Sequence, residues 1–293
     1  MTLKILQFGT TGQLGVELLR QAPGHDVAVT ALGRAEADLA DPDAAAAQVR
    51  AHRPDVVVIA AAYTAVDLAE TEGDLARTVN ALTPGAIAAA AREAGAALIN
   101  VSTDYVFDGD GGAPYAEDAP TNPLNAYGRT KLEGERTVAA ANPRALNIRT
   151  SWVVSPHGKN FVKTMLRVAA AGNPLKVVDD QAGRPTSAGD LAGFILGLAP
   201  RLAAAPAGDP LFGTVHFANT GEVTWRDFAV EIFAQALGEA APEVGGQRTA
   251  DYVTPARRPL RATMDLGRLE RVYGVTPRPW QAALADIVAE LKG

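Results

Sequence analysis

The sequence predicts a doubly wound α/β fold, a parallel sheet covered by helices on both faces, followed by a smaller mixed α/β lobe. Three observations predict it. Through residues 1–150, short runs that are apolar throughout alternate with longer amphipathic ones, the pattern of parallel strands buried on both faces. The first apolar run ends in a glycine-spaced turn that opens a helical segment, as in dinucleotide-binding β–turn–α units. After Thr150 the apolar runs shorten and turn residues crowd in.

The elements follow in order. Leu3–Phe8 reads as a buried strand ending at Gly9, with a helix from Gly12 to about Gln21. Val27–Leu32 is a second strand. Asp41-Pro42 opens a helix, with Asp as N-cap and Pro in the first helical position. Val56–Ala60, after Pro54-Asp55, is a third strand. Thr83-Pro84 repeats the cap-plus-proline signal for a helix ending at Gly95. Ala97–Val101 is a fourth strand, Tyr127–Ala140 a helix and Leu146–Arg149 a fifth strand. The expected division is a dinucleotide-binding domain over 1–150 and a mainly substrate-binding lobe over 151–293, partly threaded back to the main sheet.

In that lobe, turn residues gather at Pro156–Lys159, Gly172–Pro174, Asp179–Pro185 and Ala205–Gly213. Leu175–Val178 and Thr214–Phe217 read as short strands. Thr224 caps a helix over Trp225–Leu237, and Pro279-Trp280 opens a terminal helix to about Leu291. The Ala/Pro/Gly-rich stretch 201–211 reads as a surface loop.

Composition narrows the function. The 293 residues carry 27 Lys+Arg against 33 Asp+Glu, a formal charge of −6, which disfavours a surface built to neutralise a nucleic-acid backbone. There is no basic helix and no basic–aromatic interleaving. The absence of cysteine removes disulfides, thiolate metal sites and a Cys nucleophile. His25, His52, His157 and His216 follow no G-x-S-x-G elbow, so a Ser–His–Asp hydrolase is not supported. No signal peptide and no membrane span is legible, and a cytoplasmic protein is expected.

Three constellations carry chemistry. Gly9-Thr10-Thr11-Gly12-Gln13-Leu14-Gly15 joins the first strand to the first helix. Its glycines allow the tight turn, close approach to a pyrophosphate and close helix–sheet packing, and the helix N-terminus offers free N–H groups to the phosphates. The second strand ends without an acid for the ribose hydroxyls; Arg34 is available to a 2′-phosphate, which favours NADP(H), and Asp38-Leu39 are candidates to flank the adenine, the alternative for Arg34 and for this pair being solvated loop residues. Tyr127 and Lys131 form a Y-x-x-x-K with both side chains on one helical face. An ammonium beside the phenol lowers its pKa toward the working range, fitting it for proton transfer at a carbonyl. Ser102-Thr103-Asp104 lies just past the fourth strand, at the sheet edge where ligands bind.

These residues resemble the extended branch of the short-chain dehydrogenase/reductase superfamily, with its Rossmann-like fold. Phe8–Gly15, Ala60–Asp67, Ser102–Gly109, Tyr127–Gly134, Arg149–Val153 and Pro255–Pro259 together resemble the dTDP-4-dehydrorhamnose reductase family. The resemblance implies reduction of the C4 keto group of dTDP-4-dehydro-β-L-rhamnose by NADPH, with NADH as the alternative. It implies Tyr127 as general acid, Lys131 on the nicotinamide ribose, Thr103 on the substrate carbonyl and Asp104 on the sugar. It also implies Gly12, Gln13 and Leu14 at the pyrophosphate, and Ala60, Ala61, Ala62, Tyr63 and Thr64 along the cofactor. Trp152 would contact the sugar nucleotide. Arg257 and Arg258, with Arg261, supply local positive charge for a diphosphate, the alternative being ion pairs within the lobe.

The chain departs from the family pattern at Ile59, where members usually carry Asn. It departs again at the three glutamates with which some members bind Mg²⁺ between subunits: two map to Glu17 and Glu290, but the third falls on Gly189, beside Asp190. No metal is therefore expected, and a homodimer stays open. The competing readings are a reductase or epimerase of another nucleotide sugar, and a non-catalytic dinucleotide-binding regulatory subunit.

Overall fold

The computed structural model describes residues 2–172 and 175–293. In chain order it contains β1 (Leu3–Phe8), α1 (Gln13–Gln21), β2 (Val27–Leu32), α2 (Pro42–His52), β3 (Val56–Ile59), α3 (Gly73–Arg77), α4 (Thr83–Glu93), β4 (Ala97–Thr103), α5 (Ala126–Ala141) and β5 (Ala145–Thr150). It continues with β6 (Val153–Val154), α6 (Phe161–Ala170), β7 (Leu175–Val178), β8 (Ala182–Gly183), β9 (Thr186–Ser187), α7 (Ala188–Ala204) and β10 (Gly213–His216). Then come β11 (Val223–Thr224), α8 (Trp225–Leu237), β12 (Val244–Gln247) and α9 (Trp280–Lys292). The turn expected at Gly172–Pro174 falls, at 173 and 174, outside the described residues.

The main sheet has the order β10-β5-β4-β3-β1-β2, and its neighbours pair in parallel. One face packs on α1 and α7 through Leu14, Leu18, Leu191, Ile195 and Leu198. The other packs on α2, α4 and α5 through Ala45, Val49, Ile87, Ala91 and Val138. Burying each Leu or Ile stabilises by about 1.5–3 kcal/mol, which is why strands apolar on both faces need helices on both. The strand order reverses direction at β1, so the loops after β1 and β3 part at their C-terminal ends and leave a crevice there. β10 brings the second half of the chain back to the sheet, pairing Val215 with Ile148.

The lobe is organised around α6, α8 and α9, with Val162, Met165, Phe228, Phe233, Trp280 and Leu284 at its centre. The capping signals hold locally. Asp41 accepts from the Ala44 N–H, and Thr224 from that of Asp227.

Two expectations are corrected. Thr83-Pro84 does not begin a helix: α3, a π-helical turn over Thr78–Leu82 and α4 run on continuously. Thr83 has helical backbone angles, and its hydroxyl donates to the Leu39 carbonyl at 2.6 Å. A buried tertiary acceptor claims the hydroxyl that would otherwise cap. Of residues 201–211 only the middle, 206–210, is a largely exposed loop; the two ends are not. Arg201–Ala204 complete α7, while Ala205, Leu211 and Phe212 are buried beneath the sheet. Burial of Leu198 and Leu202 on the sheet carries the helix through Pro200, overriding its local cost. Helices α6 and α7 and strand β12, paired in parallel with β7, are additional to those read from sequence.

Candidate active site

A cavity of about 680 Å³ opens at the C-terminal edge of the sheet and extends between sheet and lobe. Gly9 sits at φ +101°, where a Cβ would lie 2.8 Å from the Ala61 Cβ. A Cβ at Gly15 would overlap the Gly9 carbonyl oxygen, so Gly15 packs behind the cavity and sets how closely α1 approaches. At Gly12 nothing lies within 4 Å, which leaves room for a ligand at the start of α1. Gln7 braces the turn, donating to the Gly9 carbonyl at 2.7 Å and that of Gly15 at 3.0 Å.

Gln13 lines the cavity, but its amide is engaged elsewhere. Its Nε2 donates to the Val153 carbonyl at 3.0 Å, and its Oε1 accepts from Ser155 Oγ at 3.0 Å and Asn160 Nδ2 at 2.9 Å. The side chain ties the glycine turn to the lobe and leaves its backbone N–H to face a phosphate.

Gly33, Arg34, Asp38 and Leu39 line the end of the cavity beside β2. Arg34 is exposed and forms no ion pair among the described residues. Asp38 accepts from the Ala40 N–H. Ala60, Ala61, Ala62 and Thr64 line the adjacent wall. Tyr63 does not: its hydroxyl donates to Glu72 at 2.6 Å. The segment is clamped by Asn80, whose Oδ1 accepts from the Tyr63 N–H while Nδ2 donates to the Tyr63 carbonyl and to Thr130 Oγ1. The π turn after α3 places this buried amide between loop and α5, as such turns commonly do beside sites.

Thr103, Asp104, Tyr127 and Lys131 meet on the cavity wall. Thr103 ends β4 and donates to Asp104 Oδ1 at 3.1 Å. Tyr127 stands in the first turn of α5, capped by Asn125, which accepts from the Gly128 N–H at 2.8 Å. Burial pushes the Tyr127 phenol up to about 12, relieved in part by its hydrogen bond with Thr103. Burial likewise lowers Lys131 to about 8, opposed by Glu135, and Nζ donates to the Val101 carbonyl at 2.7 Å. The expected lowering of the phenol is therefore corrected: desolvation is the largest influence on it and raises it, and Tyr127 holds its proton at neutral pH. Burial also raises Asp104, to about 7.

A buried charge network backs these groups. Glu135, one turn beyond Lys131, accepts from Ser102 Oγ at 2.5 Å and from Arg149 at 2.9 and 2.7 Å. Arg149 also faces His216, whose pKa is pushed down to about 3 by burial and then by that guanidinium.

Trp152 lines the cavity at φ +46° and stacks on Trp225 with ring centroids 3.5 Å apart. Its edge lies where a Cβ at residue 183 would fall, so Gly183 is needed to seat it. The arginine cluster is not on the cavity wall. Arg258 forms a two-pronged pair with Asp67, at 3.1 and 2.9 Å, and Arg261 pairs with Glu222 at 2.9 Å. Arg257 is exposed, and its carbonyl accepts from Asn125. Arg261 is thus ion-paired within the lobe, as the alternative expected, whereas Arg258 pairs out of the lobe with Asp67 of the first domain.

The residues at the implied Mg²⁺ position do not fit a cation. Glu17 is bound by Arg20 at 2.6 Å and lies 3.2 Å from His157 Nε2, which is also 3.7 Å from Glu290. Gly189 offers no carboxylate, and Asp190 is taken by Arg278 and Asn219. The cavity does fit a dinucleotide: Gly12 leaves open space, and the Thr150 hydroxyl on its wall is buried without a partner among the described residues. Val66, Lys159 and Trp225 also line it. Sequence reasoning missed them: Val66 lies within the Ala60–Asp67 motif but carries no chemistry to single it out, and Lys159 and Trp225 come from a loop and a helix start outside every motif. Trp225 was legible only as the residue after a cap.

A family model described as "RmlD substrate binding domain" matches residues 3–292. The chain is 41% identical to a dTDP-4-dehydrorhamnose reductase of Sinorhizobium fredii, over 98% of this chain and 97% of the relative. Among solved structures it is similar to a dTDP-4-dehydrorhamnose reductase of Clostridium acetobutylicum, with TM-score 0.92 and 38% identity over 99% of this chain and 100% of that one. It is similar also to one from Bacillus anthracis in complex with NADP, with TM-score 0.91 and 33% identity over 99% and 100%.

Proposed function

We infer the activity from one premise: the chain belongs to the RmlD substrate binding domain family of dTDP-4-dehydrorhamnose reductases. It is an NADP(H)-dependent oxidoreductase of dTDP-rhamnose biosynthesis, reducing the C4 keto group of dTDP-4-dehydro-β-L-rhamnose to dTDP-β-L-rhamnose. The observation that carries this reading is that Thr103, Tyr127 and Lys131 share one cavity wall with the glycine turn and Arg34. Residues 1–150 mainly serve the cofactor and 151–293 mainly the sugar nucleotide. The enzyme acts on the sugar nucleotide in the cytoplasm.

The roles follow from the chemistry. The N–H groups of Gly12, Gln13 and Leu14 and the positive end of α1 hold a pyrophosphate. Arg34 meets a 2′-phosphate, with Asp38 and Leu39 at the adenine. Lys131 holds the ribose, and the segment Ala60–Thr64, with Tyr63 as its anchor, supports the cofactor's length. When bound, NADPH supplies the hydride. Tyr127 delivers a proton to the C4 oxygen; a phenol near 12 enters the step protonated, as a general acid must. Thr103 orients the carbonyl, Asp104 holds a sugar hydroxyl, and Trp152 packs against the sugar nucleotide. Arg258 holds its segment against the first domain through Asp67, and Arg257 stays on the exposed surface off the cavity wall.

Purified protein should oxidise NADPH only when the keto sugar is supplied. Tyr127→Phe should lower that rate by about 10²–10⁴-fold while NADPH affinity stays unchanged. An unchanged rate removes Tyr127 as the acid, and no turnover of the keto sugar by the unaltered protein removes the substrate assignment.

A further inference from the structure

The charged side chains on the cavity wall are Arg34, Asp38, Asp104, Lys131 and Lys159. Lys131 is held by the Val101 carbonyl, and Arg34 stands at the end beside β2. Lys159 comes from the lobe, in the loop between β6 and α6, and among the described residues it enters no ion pair. Its loop is fixed against the glycine turn. Ser155 and Asn160 both donate to Gln13 Oε1, Gly158 turns at φ +64°, and a Cβ there would lie 3.5 Å from Gln13 Cγ. A cation is thus carried to the start of α1 by the residue that begins that helix.

We propose that Lys159 is a pyrophosphate-binding residue, a cation from the substrate lobe that closes over the dinucleotide's central phosphates opposite the N-terminus of α1. The inference rests on the NADP(H) reading above. The glycine turn supplies backbone N–H groups but no full charge, and a dianion in a chain of net charge −6 gains from a local ammonium. Lys159 and Arg34 divide the work: one meets phosphates common to NADPH and NADH, the other a phosphate present only in NADPH. Because Lys159 is exposed, its contribution weakens with salt.

The test is binding without turnover. NADPH and NADH are titrated into the full-length protein, following nicotinamide fluorescence, for the unaltered chain, K159A, K159R and R34A. K159A is expected to weaken both dinucleotides equally, by about ten-fold at low salt, with the loss shrinking at high salt. K159R should stay within about three-fold of the unaltered chain, and R34A should weaken NADPH alone. Unchanged binding in K159A, or a loss confined to NADPH, overturns the proposal while leaving the cofactor reading intact. Failure of the unaltered chain to bind either dinucleotide overturns both.

Discussion

Asp104 gives the sharpest test of how the site is built. Its carboxyl is 4% exposed, and burial holds its pKa at about 7 against an ordinary 3.8, despite its hydrogen bond from Thr103. The folded protein therefore keeps a proton that the unfolded chain releases near 3.8. Stability is fully present below that value and is lost as pH rises through about 7. At about 1.4 kcal/mol per tenfold in proton affinity, the penalty is on the order of 4 kcal/mol once the group is ionised. Asp104→Asn keeps an acceptor for Thr103 and removes the titration. Relative to the unaltered protein it should gain stability between pH 4 and pH 8 by on the order of 4 kcal/mol, or roughly 8 °C in melting temperature. The assay is thermal unfolding of both proteins, without ligand, across that range. Comparing them at each pH cancels the opposing titration of His216, whose depressed pKa makes stability fall as pH drops below about 6.5. Parallel melting curves for the two proteins across pH would refute a carboxyl held neutral by burial.

Two further outcomes follow from contacts around the site. Arg149→Met strands the buried Glu135 and should cost about 3–5 kcal/mol by denaturant unfolding; adding Glu135→Gln should restore part of it, and simple additivity would deny the pair. Gly15→Ala forces a Cβ onto the Gly9 carbonyl, so it should cost about 1–3 kcal/mol and weaken NADPH binding measured by fluorescence. Unchanged values of both would mean that α1 is free to shift.

The sequence by itself determined the parallel sheet and the chemistry of its edge. Strands apolar on both faces, a glycine turn between β1 and α1, and Tyr127 and Lys131 one turn apart are local signals, each written in a few neighbouring residues. Tertiary structure decided the rest. Thr83 reads locally as a cap, yet the Leu39 carbonyl captures its hydroxyl and the helix runs through. Arg258 resembles a free phosphate ligand until Asp67, remote in sequence, takes both prongs of its guanidinium. Residues 201–204 read as the start of a loop, but burial of Leu198 and Leu202 carries the helix on to Ala204. Desolvation, set by everything packed around Tyr127, raises a phenol that its spacing from Lys131 leads one to expect lowered. Lys159 is brought to the cavity by a loop that Gln13, remote in sequence, helps to hold. Spacing along the chain records which groups share a turn or a helix face. Burial, and the choice among competing partners for a charge, depend on contacts between distant residues and exist only once the chain has folded.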